Sequence, residues 1–319
     1  MLLSDFPPGF LMGLAAVLGL LFGSFSNVVI YRLPRGENVA FPASHCPACN
    51  HPIAAYDNLP VLSWLWLRGR ARCCGAKIKW RYPVVELLGG LWALAVMRLL
   101  VLDLLADEPV WRGALIFALY LALGLLLLCC IFIDLDYMIL PDPLTLGGAA
   151  LGLLTAPLRG SSFVTAGLGA AIGFGVVWLL FIEGYRQLRG YPGMGLGDAK
   201  LVLLTGAWFG WIGVLFVLLL GSVLGTMTAL AVYVTRGHLP EPEGVQEERR
   251  ELLEELAKLE GEERAAFEAE LARDPLFAAP EKGLSRARLA FGPFLAIATL
   301  TYALAGRELV GIYLRLGFS

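Results

Sequence analysis

The sequence predicts an all-α polytopic membrane protein of about eight transmembrane helices, with a small cytoplasmic cysteine-rich domain between helices 1 and 2. Three observations lead there. Of the 319 residues, 58% are hydrophobic and 16% charged, whereas soluble domains carry charges at about a quarter of positions. Mean hydropathy is +0.70, and apolar stretches recur from end to end, several reaching the roughly 20 residues that cross a bilayer. Basic residues crowd one segment between the first two stretches. An ordinary soluble enzyme is excluded, and the net charge of −2 matters less than where the charges lie.

Taken in order, the spans run Gly9–Ile30, Tyr82–Leu102, Gly113–Ile133, Leu144–Leu158, Phe163–Tyr185, Leu201–Trp211, Ile212–Thr235 and Leu289–Ala305. The first outlasts a signal-peptide core and lacks a basic leader and a small-residue cleavage site, so it reads as a retained helix. The sixth is short and runs into the seventh through "GAWFGWIG", where a tight turn is inferred; without it there are seven spans. Between the first and second spans lie Arg32, Arg35, Arg68, Arg70, Arg72, Lys77, Lys79 and Arg81 against Glu37 and Asp57. By the positive-inside rule this segment is cytoplasmic, and alternation then puts Asp134–Asp142, Arg186–Lys200 and Arg236–Arg288 on the same side. The segment after the seventh span is different in kind. "EERRELLEELAKLEGEERAAFEAEL" sets Leu252, Leu253, Leu256 and Leu259 at helical spacing among opposite charges, which predicts one or two solvated amphipathic helices. No internal repeat is visible, nothing points to nucleic acid, and no partner protein is identifiable for this insert.

Acidic residues at span ends are few and therefore informative. "FIDLDYMILPDPLTL" places Asp134, Asp136 and Asp142 at the mouth between the third and fourth spans, and "GMGLGDAK" places Asp198 at the mouth of the sixth. Both groups fall at one depth on one side. Two carboxylates within a few ångströms cannot both ionise cheaply, so such a pair holds one proton between them. An ionised member then activates water while the protonated one polarises a carbonyl, which is peptide hydrolysis without a metal. Gly193, Gly195 and Gly197 would let the backbone bend and an extended substrate approach. Asp142 before Pro143 has the pattern of a helix N-cap with proline at the first helical position. Spacing alone leaves two matters open: whether Asp134 or Asp136 is the partner of Asp198, and whether the pair hydrolyses peptides or relays protons in a transporter. "GMGLG" is no dinucleotide loop, because no strand precedes it.

"HCPACNH" and "RARCCGAK" put Cys46, Cys49, Cys73 and Cys74 in the basic segment. In a reducing compartment four such thiols point to a structural zinc rather than to disulfides. Cys129 and Cys130, inside the third span, read as packing residues.

"GMGLGDAKL", "IDLDYMILPD", "FGSFSNVVIYRLPR", "SHCPACNHPI", "RYPVVELLGG" and the late "FGPFLA" together resemble the bacterial prepilin peptidases, or type IV leader peptidases, over nearly the whole chain. The resemblance implies an aspartic protease of the GxGD type in the inner membrane. It implies prepilin and type II secretion pseudopilin substrates, a basic leader cut after its glycine and, as in many members, N-methylation of the new terminus from S-adenosylmethionine; a peptidase without methylation is the alternative. By position it assigns catalysis to Asp134 and Asp198, with Gly195 and Gly197 forming the GxGD loop. It places methylation with the N-terminal region and the "VVELL" segment, where Glu86 is the one acid able to attract a sulfonium or the new ammonium. A structural Glu86 paired with Arg81 or Arg32 is the competing reading. The resemblance also expects two C-x-x-C pairs, and here Ala71 stands where the third cysteine belongs, leaving Cys73, His45 or His51 to complete a zinc shell. The chain then divides into a first helix (1–31), the cysteine-rich domain (32–81), a catalytic transmembrane core (82–235), the charged insert (236–288) and a last helix with its tail (289–319).

Overall fold

The computed structural model describes residues 1–42, 44–190, 192–236, 243–271 and 289–317. Among them the architecture is helical, without strands beyond three isolated bridges. In chain order the α-helices are α1 (Pro8–Arg32), α2 (Leu62–Trp66), α3 (Arg81–Ala95), α4 (Val110–Tyr137), α5 (Asp142–Leu154), α6 (Phe163–Val176), α7 (Tyr185–Arg189), α8 (Leu196–Arg236), α9 (Glu243–Leu256), α10 (Gly261–Leu271) and α11 (Gly292–Gly317). α3 and α6 each continue as a π-helical stretch, Val96–Leu102 and Val177–Gly184. Among the described residues, five segments are long and apolar enough to cross a membrane: Pro8–Arg35, Arg81–Leu102, Val110–Tyr137, Phe163–Arg189 and Leu196–Thr235. Asp142–Leu154 and Gly292–Gly306 are apolar but shorter.

Proline and capping chemistry set the helix ends. Pro109 and Pro141 precede α4 and α5, where the missing N–H costs nothing. Ser162 accepts from the Thr165 N–H at 3.0 Å and caps α6. α4 differs from expectation. Nothing after Ile133 breaks a helix, so it continues through Asp134 and Asp136 and stops only where Met138 turns left-handed at φ 53°. Asp142 differs too. It is the first residue of α5 and makes no capping bond; its carboxylate pairs instead with Lys200 of α8.

The turn inferred within "GAWFGWIG" is present at Gly210, whose φ of 69° and ψ of −172° suit glycine and almost nothing else. It splits α8 into arms 196–209 and 211–236. Their directions follow from their neighbours. Thr205 bonds Thr299 of α11 at 2.9 Å. Near the start of the first arm, Gly197 packs on Leu140, which also touches Gly292 at the start of α11. The first arm therefore runs parallel to α11. The second runs against it, with Gly213 facing Tyr302, Gly221 facing Leu295 and Gly225 facing Phe291.

Close helix approach rests on small residues, as expected where packing rather than the hydrophobic effect drives association. α1 and α3 cross at Gly19, Gly89 and Ala93, and α6 meets α8 backbone to backbone at Gly169 and Gly206. The largest core gathers Leu123 and Leu127 of α4, Leu201, Leu204 and Val214 of α8 and Leu295 of α11. In the charged insert, where one or two amphipathic helices are expected, the helices are α9 and α10; α9 lies against α4. The remainder of the insert, 237–242 and 272–288, lies outside the described residues.

Candidate active site

The lengthened α4 carries Asp134 in its last turn, and Met138 closes that turn by donating its N–H to the Asp134 carbonyl at 2.9 Å. The Asp134 side chain is 5% exposed. Its Oδ2 is buried with no hydrogen-bond partner, and a methyl group added at Gly292 would stand 2.6 Å from that oxygen. Asp198 lies in the first turn of α8, partly buried, and its Oδ2 accepts the Gly195 N–H at 3.2 Å. The two carboxyls are close enough that charge on Asp198 acts on Asp134. Leu140 sits between their supports, against both Gly197 and Gly292. Asp134 and Asp198, far apart in sequence, are thus brought to one place.

Asp136 is not part of this pair. Two residues on, it faces the other side of α4 and forms an ion pair with Arg81. Gly197 is already helical rather than part of a bent loop, and the group packed against it is Leu140. Glu183 pairs with Arg186 at 3.1 Å.

Glu86 lies on α3 where that helix crosses α1. Its Oε1 accepts the Ser24 hydroxyl at 2.8 Å and its Oε2 the Val61 N–H at 2.7 Å. The pairing with Arg81 or Arg32 that the competing reading offers is absent. Arg81 is engaged by Asp136, and the Arg32 guanidinium donates to the carbonyls of Asn38 and Pro42 at 3.1 and 2.8 Å. The half-buried Glu86 carboxylate has no cationic partner among the described residues.

The four cysteine sulphurs lie within 4.8 Å of one another, with Cys46 to Cys74 at 3.7 Å and Cys49 to Cys73 at 3.4 Å. Tetrahedral zinc with Zn–S bonds of about 2.3 Å spaces its sulphurs by about 3.8 Å, so the donor set fits the metal. Of the three candidates for the remaining corner, Cys73 joins the other sulphurs, and neither His45 nor His51 is in the cluster. The backbone explains how. Cys46 N–H donates to His51 O at 2.9 Å and Asn50 N–H to Cys46 O at 2.8 Å; Ala71 N–H donates to Ala76 O and Gly75 N–H to Ala71 O, both at 2.8 Å. Asn50 and Gly75 are both left-handed, at φ 56° and 71°. The two turns are one motif used twice, a local repeat that residue identity conceals. Ala71 occupies the place of Cys46, Cys74 that of Cys49, and Cys73 reaches the fourth corner from the place of Ala48. Backbone N–H groups, Ala48 foremost, hold the Cys46 thiol down to about 7, whereas a hydrogen bond shared with Cys49 that favours the Cys73 thiol over its thiolate pushes Cys73 up to about 12.

Comparison with known proteins bears on the whole arrangement. Residues 17–100 match the bacterial Peptidase A24 N-terminal domain, and residues 121–230 match the type IV leader peptidase family. The chain belongs to the type IV leader peptidase family. The prepilin leader peptidase/N-methyltransferase of Aeromonas hydrophila is 41% identical over 258 residues, 72% of this chain and 84% of its own length. That of Myxococcus xanthus is 40% identical over 234 residues (73% and 66%), and that of Neisseria gonorrhoeae 36% over 258 (72% and 84%). No solved structure matches the chain. The leader-peptidase match contains Asp134, Leu140 and Asp198, and the N-terminal match contains the cysteines and Glu86. Gly292 lies beyond both, although its backbone abuts Asp134. Sequence reasoning assigned no role to Gly292 or Leu140; the only signal was the recurrence of glycine and proline in "FGPFLA" and "ILPDP".

Proposed function

We infer that this protein is an intramembrane aspartic endopeptidase that removes the leader from type IV prepilins and type II secretion pseudopilins, and then methylates the new N-terminus. The observation that carries the peptidase half is the meeting of Asp134 and Asp198 beside Gly292 and Leu140. Hydrolysis in such a site needs one proton between the two carboxyls. The ionised member takes a proton from water as the oxygen attacks the scissile carbonyl, and the protonated member donates to the carbonyl oxygen. Collapse of the tetrahedral species breaks the C–N bond, and a proton passes to the departing amine. Gly195 fixes one oxygen of Asp198 through its N–H.

The orientation that best accounts for the charges puts both acids and the cysteine-rich segment at the cytoplasmic face of the inner membrane. Eight crossings follow if the two arms of α8, the 13-residue α5 and the apolar part of α11 each count as one. At 1.5 Å per residue α5 is about 20 Å long, short of the roughly 30 Å hydrocarbon core. A short helix recesses its end, which supports a water-filled mouth reaching below the membrane surface. The divisions 1–31, 32–81, 82–235, 236–288 and 289–319 are the units this reading uses.

For methylation, S-adenosylmethionine supplies an electrophilic methyl group. Glu86 fits a cationic ligand, because its half-buried carboxylate has two neutral donors and no counter-charge among the described residues. Cys46, Cys49, Cys73 and Cys74 fit a zinc that cross-links the segment between α1 and α3. The functional test uses purified full-length protein and a synthetic peptide of basic leader plus apolar helix. Cleavage at the glycine bond, followed by methyl incorporation from S-adenosylmethionine, is expected; an intact peptide overturns the reading.

A further inference from the structure

We propose that Arg81 is a positioning residue for peptide cleavage: its guanidinium fixes the turn of α4 that carries Asp134. The inference rests on the peptidase reading and adds a residue that lies outside the leader-peptidase match.

The last turn of α4 is electrostatically awkward. A helix C-terminus carries partial negative charge, yet this one holds both Asp134 and Asp136. Left alone, such a turn frays. Two arginines of the N-terminal segment meet it. Arg81 forms an ion pair with Asp136, donates to the Phe132 carbonyl at 3.3 Å and lies 4.8 Å over the Phe132 ring. Arg35 lies 5.5 Å from the Tyr137 ring centroid and is itself tied to the Tyr31 carbonyl at 2.7 Å.

Residues 132 and 136 are one turn apart on one helix face, and residue 134 points to the opposite face. Arg81 therefore holds the turn from behind while Asp134 faces Gly292 and Asp198. Between Arg35 and Arg81 runs the whole cysteine-rich segment, so both ends of that segment are anchored to the turn that carries the proposed catalytic acid.

The test is the kinetics of leader cleavage by the full-length protein. R81Q is expected to lower kcat ten- to hundredfold, the range for a catalytic group misplaced by up to about 1 Å, with KM within about threefold of wild type. R81K, which keeps a cation for Asp136, recovers kcat to within about fivefold. R81Q/D136N is no slower than R81Q, because both changes break one contact. An R81Q protein with kcat within twofold of wild type overturns the inference. So does a loss confined to KM, or effects of R81Q and D136N that multiply. If R81Q does not fold, D136N carries the test: lowered kcat supports the role and unchanged kcat removes it. D134N, run alongside, separates the two ideas. Cleavage by D134N removes the peptidase reading, whereas inactive D134N beside fully active R81Q removes only this inference.

Discussion

Gly292→Ala probes the proposed active site from a helix that neither family match includes. The added methyl would stand 2.6 Å from Asp134 Oδ2, 3.1 Å from Leu140 Cδ1 and 3.2 Å from Asp134 Cγ. Ordinary contact begins near 3.4 Å, so the Asp134 carboxyl has to retreat by about 0.8 Å. Its neighbours Cys130 and Ile133 are fully buried, which leaves little room to absorb the movement elsewhere. A displacement approaching 1 Å at a reacting group costs up to about a hundredfold in rate. We therefore expect kcat for leader cleavage to fall ten- to hundredfold, about 1.4–2.7 kcal/mol in the barrier, with KM nearly unchanged. The assay is steady-state cleavage of the leader-plus-helix peptide by detergent-solubilised protein, with folding checked by thermal unfolding. Gly311→Ala is the control, since a methyl there meets nothing within 4 Å. Wild-type kcat in Gly292→Ala refutes the claim that the close approach of Gly292 positions the Asp134 carboxyl.

Gly210→Ala forces a side chain into a backbone region open almost only to glycine, and should destabilise the fold by about 1–3 kcal/mol, read as a lowered unfolding midpoint; an unchanged midpoint contradicts the reversal of α8. Purified protein should carry about one equivalent of zinc, lose it in C73S and regain it in C73S/A71C, because position 71 is the vacant corner of the second turn; metal analysis decides, and full zinc in C73S disproves the assignment of Cys73. Glu86→Gln keeps the size of the side chain but removes its charge, so methyl transfer to an already cleaved peptide should fall while cleavage persists; undiminished methylation counts against Glu86 as a cation site.

Much of this was legible in residue order, and the failures have physical causes. The long spans declare themselves because lipid-facing helices are apolar on every side. The turn in "GAWFGWIG" was legible because three glycines interrupt an otherwise continuous apolar run. The end of α4 was misplaced because hydropathy falls at Asp134 while helical geometry does not, the break waiting for Met138 and Pro141. Asp142 reads as a cap only while Lys200 is out of view, and that partner arrives from another helix. Position in the chain leaves Asp134 and Asp136 open as partners of Asp198, because the Arg81 that pairs with Asp136 comes from another helix. The repeated cysteine turn was hidden because it is written in backbone bonds and left-handed residues, with Ala71 in place of the identity that would have marked it.

The most direct measurement is leader cleavage by Asp134→Asn and Asp198→Asn, each reconstituted in vesicles and compared with wild type. The loss of either carboxylate from a pair that divides acid and base duties should abolish cleavage while leaving the protein folded. Normal cleavage by either variant would contradict it.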